Sequence, residues 1–140
     1  MSMTGWEHFP HEADVGIRGY GPSLSVAFEQ AALAMMAAIA DVEGIESRQR
    51  VEIACEAPEP DLLLVEWLNA LVYEMATRDM IFCRFAVTIE GAALSAQAWG
   101  EPVDVERHRP AAEIKGATYT ALEVSRAADG RWTAQCVVDV

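Results

Sequence analysis

Two stretches of this chain concentrate groups able to do chemistry. The first is His8-Phe9-Pro10-His11-Glu12-Ala13-Asp14, where two imidazoles stand three residues apart and two carboxylates follow. Zinc would need at least one or two further nitrogen, sulfur or carboxylate ligands beyond such a pair. His11, Glu12 and Asp14 are dense in donors, and Val15-Gly16 behind them offers a place where a backbone can approach closely. The same residues also read as a polar loop entering a strand. The second stretch is Val138-Asp139-Val140 at the end of the sequence. If the last strand runs to the last residue, Asp139 and the Val140 carboxylate stand together. Two carboxylates that close repel, and a bound cation relieves the repulsion. A frayed terminus with solvated charges is the alternative.

Two further features carry charge in an unusual way. Lys115 is the only lysine, and the other nine cations are arginines. A compact ammonium in an arginine-preferring chain hints at a site needing a point charge. The segment Gly100-Glu101-Pro102-Val103-Asp104-Val105-Glu106-Arg107-His108 reads as a charged loop between strands, either a lid, a binding loop or a solvated crossing. Cys55, Cys83 and Cys136 are far apart and belong to no Cys-x-x-Cys or Cys/His cluster, which predicts three buried free thiols in a reducing cytoplasm. No nucleophile elbow, phosphate loop or dinucleotide fingerprint is present.

The elements that must position these residues follow from periodicity. Asp14 to Tyr20 alternates as a strand and Gly21-Pro22 turns the chain. Ser23 caps a helix whose apolar positions are Leu24, Phe28, Ala31, Met35 and Ile39. Arg50 to Glu56 alternates as a second strand. Pro58-Glu59-Pro60-Asp61 opens a second helix with Asp61 as its cap, an apolar face of Leu64, Trp67, Leu68, Leu71 and Met75, and Glu66, Asn69, Tyr73 and Glu74 on the other side. Ile81 to Glu90 and Leu94 to Trp99 form a hairpin about Gly91. Ala117 to Arg126 and Trp132 to Val140 form another across Asp129-Gly130. The order β-α-β-α-ββ-loop-ββ predicts a single α+β domain, mostly antiparallel sheet with two helices.

Composition narrows the function classes. The chain has 140 residues, 52% of them hydrophobic, with 22 acidic against 10 basic side chains and a net charge of −12. That is enough chain to bury a core without disulfides. So acidic a surface argues against unaided binding to nucleic acid or anionic membranes and favours cations or a basic partner. No apolar run reaches the ~18 residues of a membrane span. Met1 to Trp6 lacks the features of a signal peptide, Met1 to Gly5 reads as a loose lead-in, and a cytoplasmic protein is the expectation.

Several segments together resemble the archease family, in order and over residues 6–140. His11-Glu12-Ala13-Asp14-Val15-Gly16-Ile17 resembles its opening signature. Ala27 to Met35 resembles its first helix, and Leu63 to Phe85, with Trp67-Leu68-Asn69, its second helix and the strand after it. Gly100-Glu101 with Glu106-Arg107-His108, then Glu113 to Tyr119, resembles its late block, and Val138-Asp139-Val140 its ending.

The resemblance implies an accessory protein of an RtcB-type RNA ligase in tRNA splicing and RNA repair, not itself an enzyme. Such a protein promotes guanylylation of the ligase histidine, allows multiple turnover and widens nucleotide use. The resemblance also implies a metal site of Asp14, Asp139 and Val140 and a ligase-activating role for Lys115; His11, Glu12 and His108 are further candidates to stand around those ligands. Oxygen ligands without sulfur select hard cations such as Ca²⁺, Mg²⁺ or Mn²⁺, and Ca²⁺ is the expected one. The family usually carries Thr or Ser where this chain has Glu12. Two other classes remain beside this one. One is a stand-alone metal-dependent hydrolase with His11 as base, and the other is a metal-free binding or chaperone module.

Overall fold

The computed structural model describes residues 3–140. Alternation begins earlier than Asp14: Gly5–His11 (β1) pairs antiparallel with Asp14–Gly21 (β2). The stretch expected as a polar loop is therefore a strand with a two-residue turn, Glu12-Ala13. Ser23 then opens Leu24–Ala37 (α1), its hydroxyl accepting from the Val26 N–H at 3.2 Å. Gln49–Glu56 (β3) leads to Pro60–Arg78 (α2). Met80–Glu90 (β4) and Ala93–Pro102 (β5) form the expected hairpin about Gly91. A short helix, Val105–His108 (α3), precedes Gly116–Ala117 (β6), Glu123–Arg126 (β7) and Trp132–Asp139 (β8).

The strands make two antiparallel sheets. One runs β1-β2-β8-β6, with β7 also on β8, and the other runs β3-β5-β4. α1 packs on β2, β8 and β4, and α2 on β3, β4, β6 and β7, so both helices lie between the sheets. Trp67 on α2 is fully buried at the centre. Its indole N–H donates to the Phe28 carbonyl of α1 at 3.1 Å, and its ring meets Phe85 of β4 edge to face. One indole thus ties both helices to the second sheet and satisfies its own polar atom. Among the described residues no helix is long and apolar enough to cross a membrane.

Several expectations are corrected. Asp61 does not cap α2. Glu59 occupies the cap position, Pro60 sits at the first turn where its missing N–H costs nothing, and Asp61 accepts only from Leu62 at 2.8 Å. Asn69 is not a solvent-side residue, because its amide both donates to and accepts from the Ala117 backbone. Ala117 to Arg126 is not one strand but β6 and β7, broken where Ala121 takes a φ of 54°. Of the three free thiols only Cys136 is buried, while Cys55 and Cys83 are half-buried. Burial raises all three above the ordinary thiol range, Cys55 to about 11 and Cys136 to about 12, which keeps them protonated and unreactive.

Helix and sheet come close together at Gly19 of β2. A Cβ there would lie 2.2 Å from the Ala31 nitrogen and 2.4 Å from the Ala27 oxygen, both backbone atoms of α1. Backbone cannot swing aside as a side chain can, so Gly19→Ala is expected to lose about 3 kcal/mol in urea melts. Gly44, with nothing within 4 Å of an added Cβ, serves as the control. Gly44→Ala should change stability by less than about 0.5 kcal/mol.

Candidate functional site

Strand register decides which of the candidate residues meet. His11 pairs with Asp14 across the β1–β2 turn, and Gly116 pairs with Asp139 between β6 and β8. β2 pairs with β8 as far as Val15 and Val138. One step beyond, the same antiparallel register sets Asp14 opposite Asp139. The result is a row across four strands: His11, Asp14, Asp139, Gly116. Directly opposed residues share a face, with Cβ atoms ~5 Å apart. Ile17 and Val138 belong to the core, so the row, at the opposite parity, lies on the outward face of the sheet.

The row is acidic and lacks a neutralising partner. Among the described residues, neither aspartate carboxylate takes part in a hydrogen bond or ion pair. The one cation on this face of β2, Arg18, is committed elsewhere. It donates to Gln135 at 2.8 Å, pairs with Glu7 at 3.0 Å and lies over the Phe9 ring. Phe9 in turn covers Gly16, where a Cβ would meet the ring at 2.3 Å. The two carboxylates are thus walled from Arg18 by an aromatic ring. Beside them, His11 Nδ1 is buried without a hydrogen-bond partner. An orphaned polar nitrogen beside an unpaired carboxylate row is a group that a ligand atom or a water would satisfy.

Lys115 reaches the same end of the sheet. Its backbone N–H donates to the Asp139 carbonyl at 2.8 Å, and continuing the register sets it opposite Val140. Its side chain is exposed. Asn69 holds this edge in place from α2, its amide gripping both backbone groups of Ala117 at 2.8 and 3.3 Å. Sequence reasoning missed Asn69; the signal was an amide in mid-helix, where such a residue is unfavourable without a partner. Glu12 sits exposed at the turn tip with a φ of 54°. His8 and His11 do not form a pair. Residues three apart on a strand face opposite ways, and His8 is bonded through Nε2 to the Ala34 carbonyl of α1 at 2.7 Å.

Among the described residues no three His, Cys, Asp or Glu side chains converge on a point. Side chains alone therefore supply two carboxylates, and further oxygens have to come from backbone or water. That donor set fits a hard cation such as Ca²⁺, which takes several carbonyl, carboxylate and water oxygens.

His108 is not part of this row. The segment 100–108 is neither lid nor solvated crossing, because it folds over Glu101, which is fully buried at the end of β5. Glu101 accepts from the Glu46 N–H at 2.6 Å, from Arg107 and from His108 Nε2 at 3.0 Å. The Asp104 N–H donates to His108 Nδ1 at 2.8 Å, so the proton is on Nε2 and the imidazole is a neutral donor. Arg107 also reaches the Gly44 carbonyl at 3.0 Å. Three chain segments are stapled through one carboxylate. A second carboxylate with a structural role, carrying no local sequence signal, is Glu29 on α1, which accepts from the Val87 N–H of β4 at 2.9 Å. Burial raises its carboxyl above the usual range.

The comparisons with known proteins agree over the whole chain. The Archease protein family model matches residues 6–140. Protein archease of Pyrococcus furiosus is 40% identical over 142 residues, covering 99% of this chain and all of that one. Its counterpart in Methanosarcina barkeri is 37% identical over the full length of both. The solution structure of Methanobacterium thermoautotrophicum protein 1598 superposes with a TM-score of 0.84 at 30% identity, covering 97% of this chain and 99% of that one.

The Glu101 staple has a pH signature. Its hydrogen bond from Arg107, helped by Glu46 and His108 and opposed by burial, holds the carboxyl at about 2 against an ordinary 4.5. The stability it contributes is present above the ordinary value and is lost as pH falls from there towards 2. Urea melts across that range should show a limb in the wild type that Glu101→Gln lacks. The variant should also be the less stable of the two at neutral pH.

Proposed function

Because this chain belongs to the archease family, we propose that it acts as an accessory protein of an RtcB-type RNA ligase. In that role it promotes guanylylation of the ligase histidine, sustains multiple turnover and widens nucleotide use. The reading rests on one observation above all: the register that sets Asp14 opposite Asp139 at the sheet end where Lys115 is anchored. Asp14, Asp139 and the Val140 oxygens are the groups to hold a divalent cation there, Ca²⁺ ahead of Mg²⁺ and Mn²⁺. When bound, the cation supplies a fixed positive charge that relieves the repulsion within the row.

Each residue of the chain then has a task. Asp14 and Asp139 stand one step beyond the last paired residues of β2 and β8, Val15 and Val138, so each carboxylate is carried by a strand rather than by a long loop. His11 Nδ1, buried and unpartnered, is placed to bond a water or ligand atom beside them. Lys115 carries a mobile point charge on a fixed backbone, suited to a phosphate or to a carboxylate of the partner. The net charge of −12 favours encounter with a basic ligase surface. A hydrolase using His11 as base would draw on the same row. It differs in needing no ligase, so guanylylation of a purified RtcB-type ligase, assayed with and without this protein, separates the two.

Two outcomes are expected for the site. Asp14→Asn and Asp139→Asn should each weaken Ca²⁺ and Mn²⁺ binding at least tenfold by calorimetry, with melting in metal-free buffer little changed. Unchanged affinity in both variants would remove the metal site. Lys115→Ala should melt within about 0.5 kcal/mol of wild type yet lose most stimulation of guanylylation, with Lys115→Arg between them. Full stimulation by Lys115→Ala would overturn its assignment.

A further inference from the structure

The outward face of the β3-β5-β4 sheet carries no helix, and register sorts its residues into four rows. Arg50, Trp99 and Arg84 form one end row. Glu52, Gln97 and Ala86 come next, then Ala54, Ser95 and Thr88. Glu56, Ala93 and Glu90 form the other end row. The face is therefore large and cationic at one end and small and anionic at the other. The six residues of the last two rows line an open hollow of about 530 Å³.

The charges at the two ends are largely uncommitted. Arg84 lies over the Trp99 ring, 4.0 Å from its centroid, and among the described residues it has no carboxylate partner. Glu56 and Glu90 likewise have no ion pair among the described residues. Arg50 has only an exposed contact with Glu52, at 3.3 Å.

Two sheets stacking face to face about a two-fold axis have two simple arrangements. An axis along the strands would set the Arg row on the Arg row and the acidic row on the acidic row. An axis along the rows, between the second and third, reverses the row order and keeps the strand order. Arg84 then faces Glu90 of the second copy, Arg50 faces its Glu56, and the Trp99 ring faces its Ala93 at the bottom of the hollow. Gln97 meets Ser95, and Ala86 meets Thr88. Charge and size agree on the second arrangement, and an isologous contact makes each pairing twice. We propose that a second copy of this chain docks here, sheet on sheet, with the stacked Arg84–Trp99 pair of each copy seated in the hollow of the other.

The contact is small, as in weak and transient encounters. Three strands ~4.8 Å apart and four rows ~6.8 Å apart give a footprint on the order of 400 Å² per copy, about half that of a standard interface. The dimer is accordingly weak, with Kd on the order of 100 µM. The like charge of the two copies opposes it but is screened beyond ~8 Å at physiological salt. This inference does not depend on the ligase reading, because neither end row includes a residue of the acidic site.

Sedimentation equilibrium of the full chain at physiological salt, from about 10 µM to about 1 mM, tests it. The wild type should pass from monomer to dimer over that range. Arg84→Glu and Glu90→Arg, both at exposed positions, should each weaken association at least tenfold with melting unchanged. An equimolar mixture of the two variants should regain wild-type association, because each introduced charge then meets its opposite. Ala93→Trp, which fills the hollow without changing any charge, should also abolish the dimer. A wild type monomeric throughout, single variants that dimerise normally, or a mixture that stays monomeric would each overturn the proposal.

Discussion

β2 and β8 pair antiparallel from Val15–Val138 to Gly21–Trp132, joining the beginning of the described chain to its end. Closing so long a loop has a large entropic cost, though one that grows only slowly with loop length. What offsets the cost is apolar. Ile17, Ala134, Cys136 and Val138 turn inward from this pair and bury their side chains against α1. Because side chains alternate along a strand, burying those four commits every residue between them to the outer face. A slip of one residue would bury Asp14 and Asp139 and expose the core. The position of the acidic row is thus a by-product of hydrophobic register, and it is rigid for the same reason.

That origin explains how an unfavourable arrangement survives. Two opposed like charges destabilise a ladder by an amount comparable to a good cross-strand pair. Here they stand at the very end of the pairing, past the last strand bonds of Val15 and Val138, where the ladder has little left to lose. Two carboxylates elsewhere in the fold are treated differently. Glu101 is surrounded by donors and staples β5, α3 and the segment at Glu46. Glu29 is spent on one backbone N–H. Glu101 and Glu29 have structural tasks and are partnered, whereas among the described residues Asp14 and Asp139 are not.

The edge that carries Lys115 is held by different means. β6 is only two residues long, too short to stand by itself, and Asn69 supplies from a helix the bonds that a further strand would supply. The long segment before it is secured upstream by the Glu101 staple and by the Ala111 N–H, which donates to the Ile39 carbonyl at 2.8 Å. A side chain that must be mobile at its tip is thereby fixed at its root.

Local signals carried much of this in the sequence. The Ser23 cap, the two helices, the β3 alternation and the turns at Gly91 and Asp129-Gly130 depend on neighbours within a few residues, and each stands where its pattern put it. Asp14, Asp139 and Lys115 were legible as residues out of keeping with their surroundings. What sequence alone did not determine is everything set by partners far along the chain. β1 was hidden because His8, Pro10 and His11 are polar or strand-breaking in isolation and are recruited by pairing with β2 and by the Ala34 carbonyl. By its type and neighbours His108 reads as a site residue, but the fold places it on Glu101, and Asn69 reads as solvent-facing, but β6 rests against it. Periodicity reports which side of an element is buried. Which residues of distant elements share a row is fixed by strand register and by the packing of helices between sheets, and those are properties of the tertiary structure.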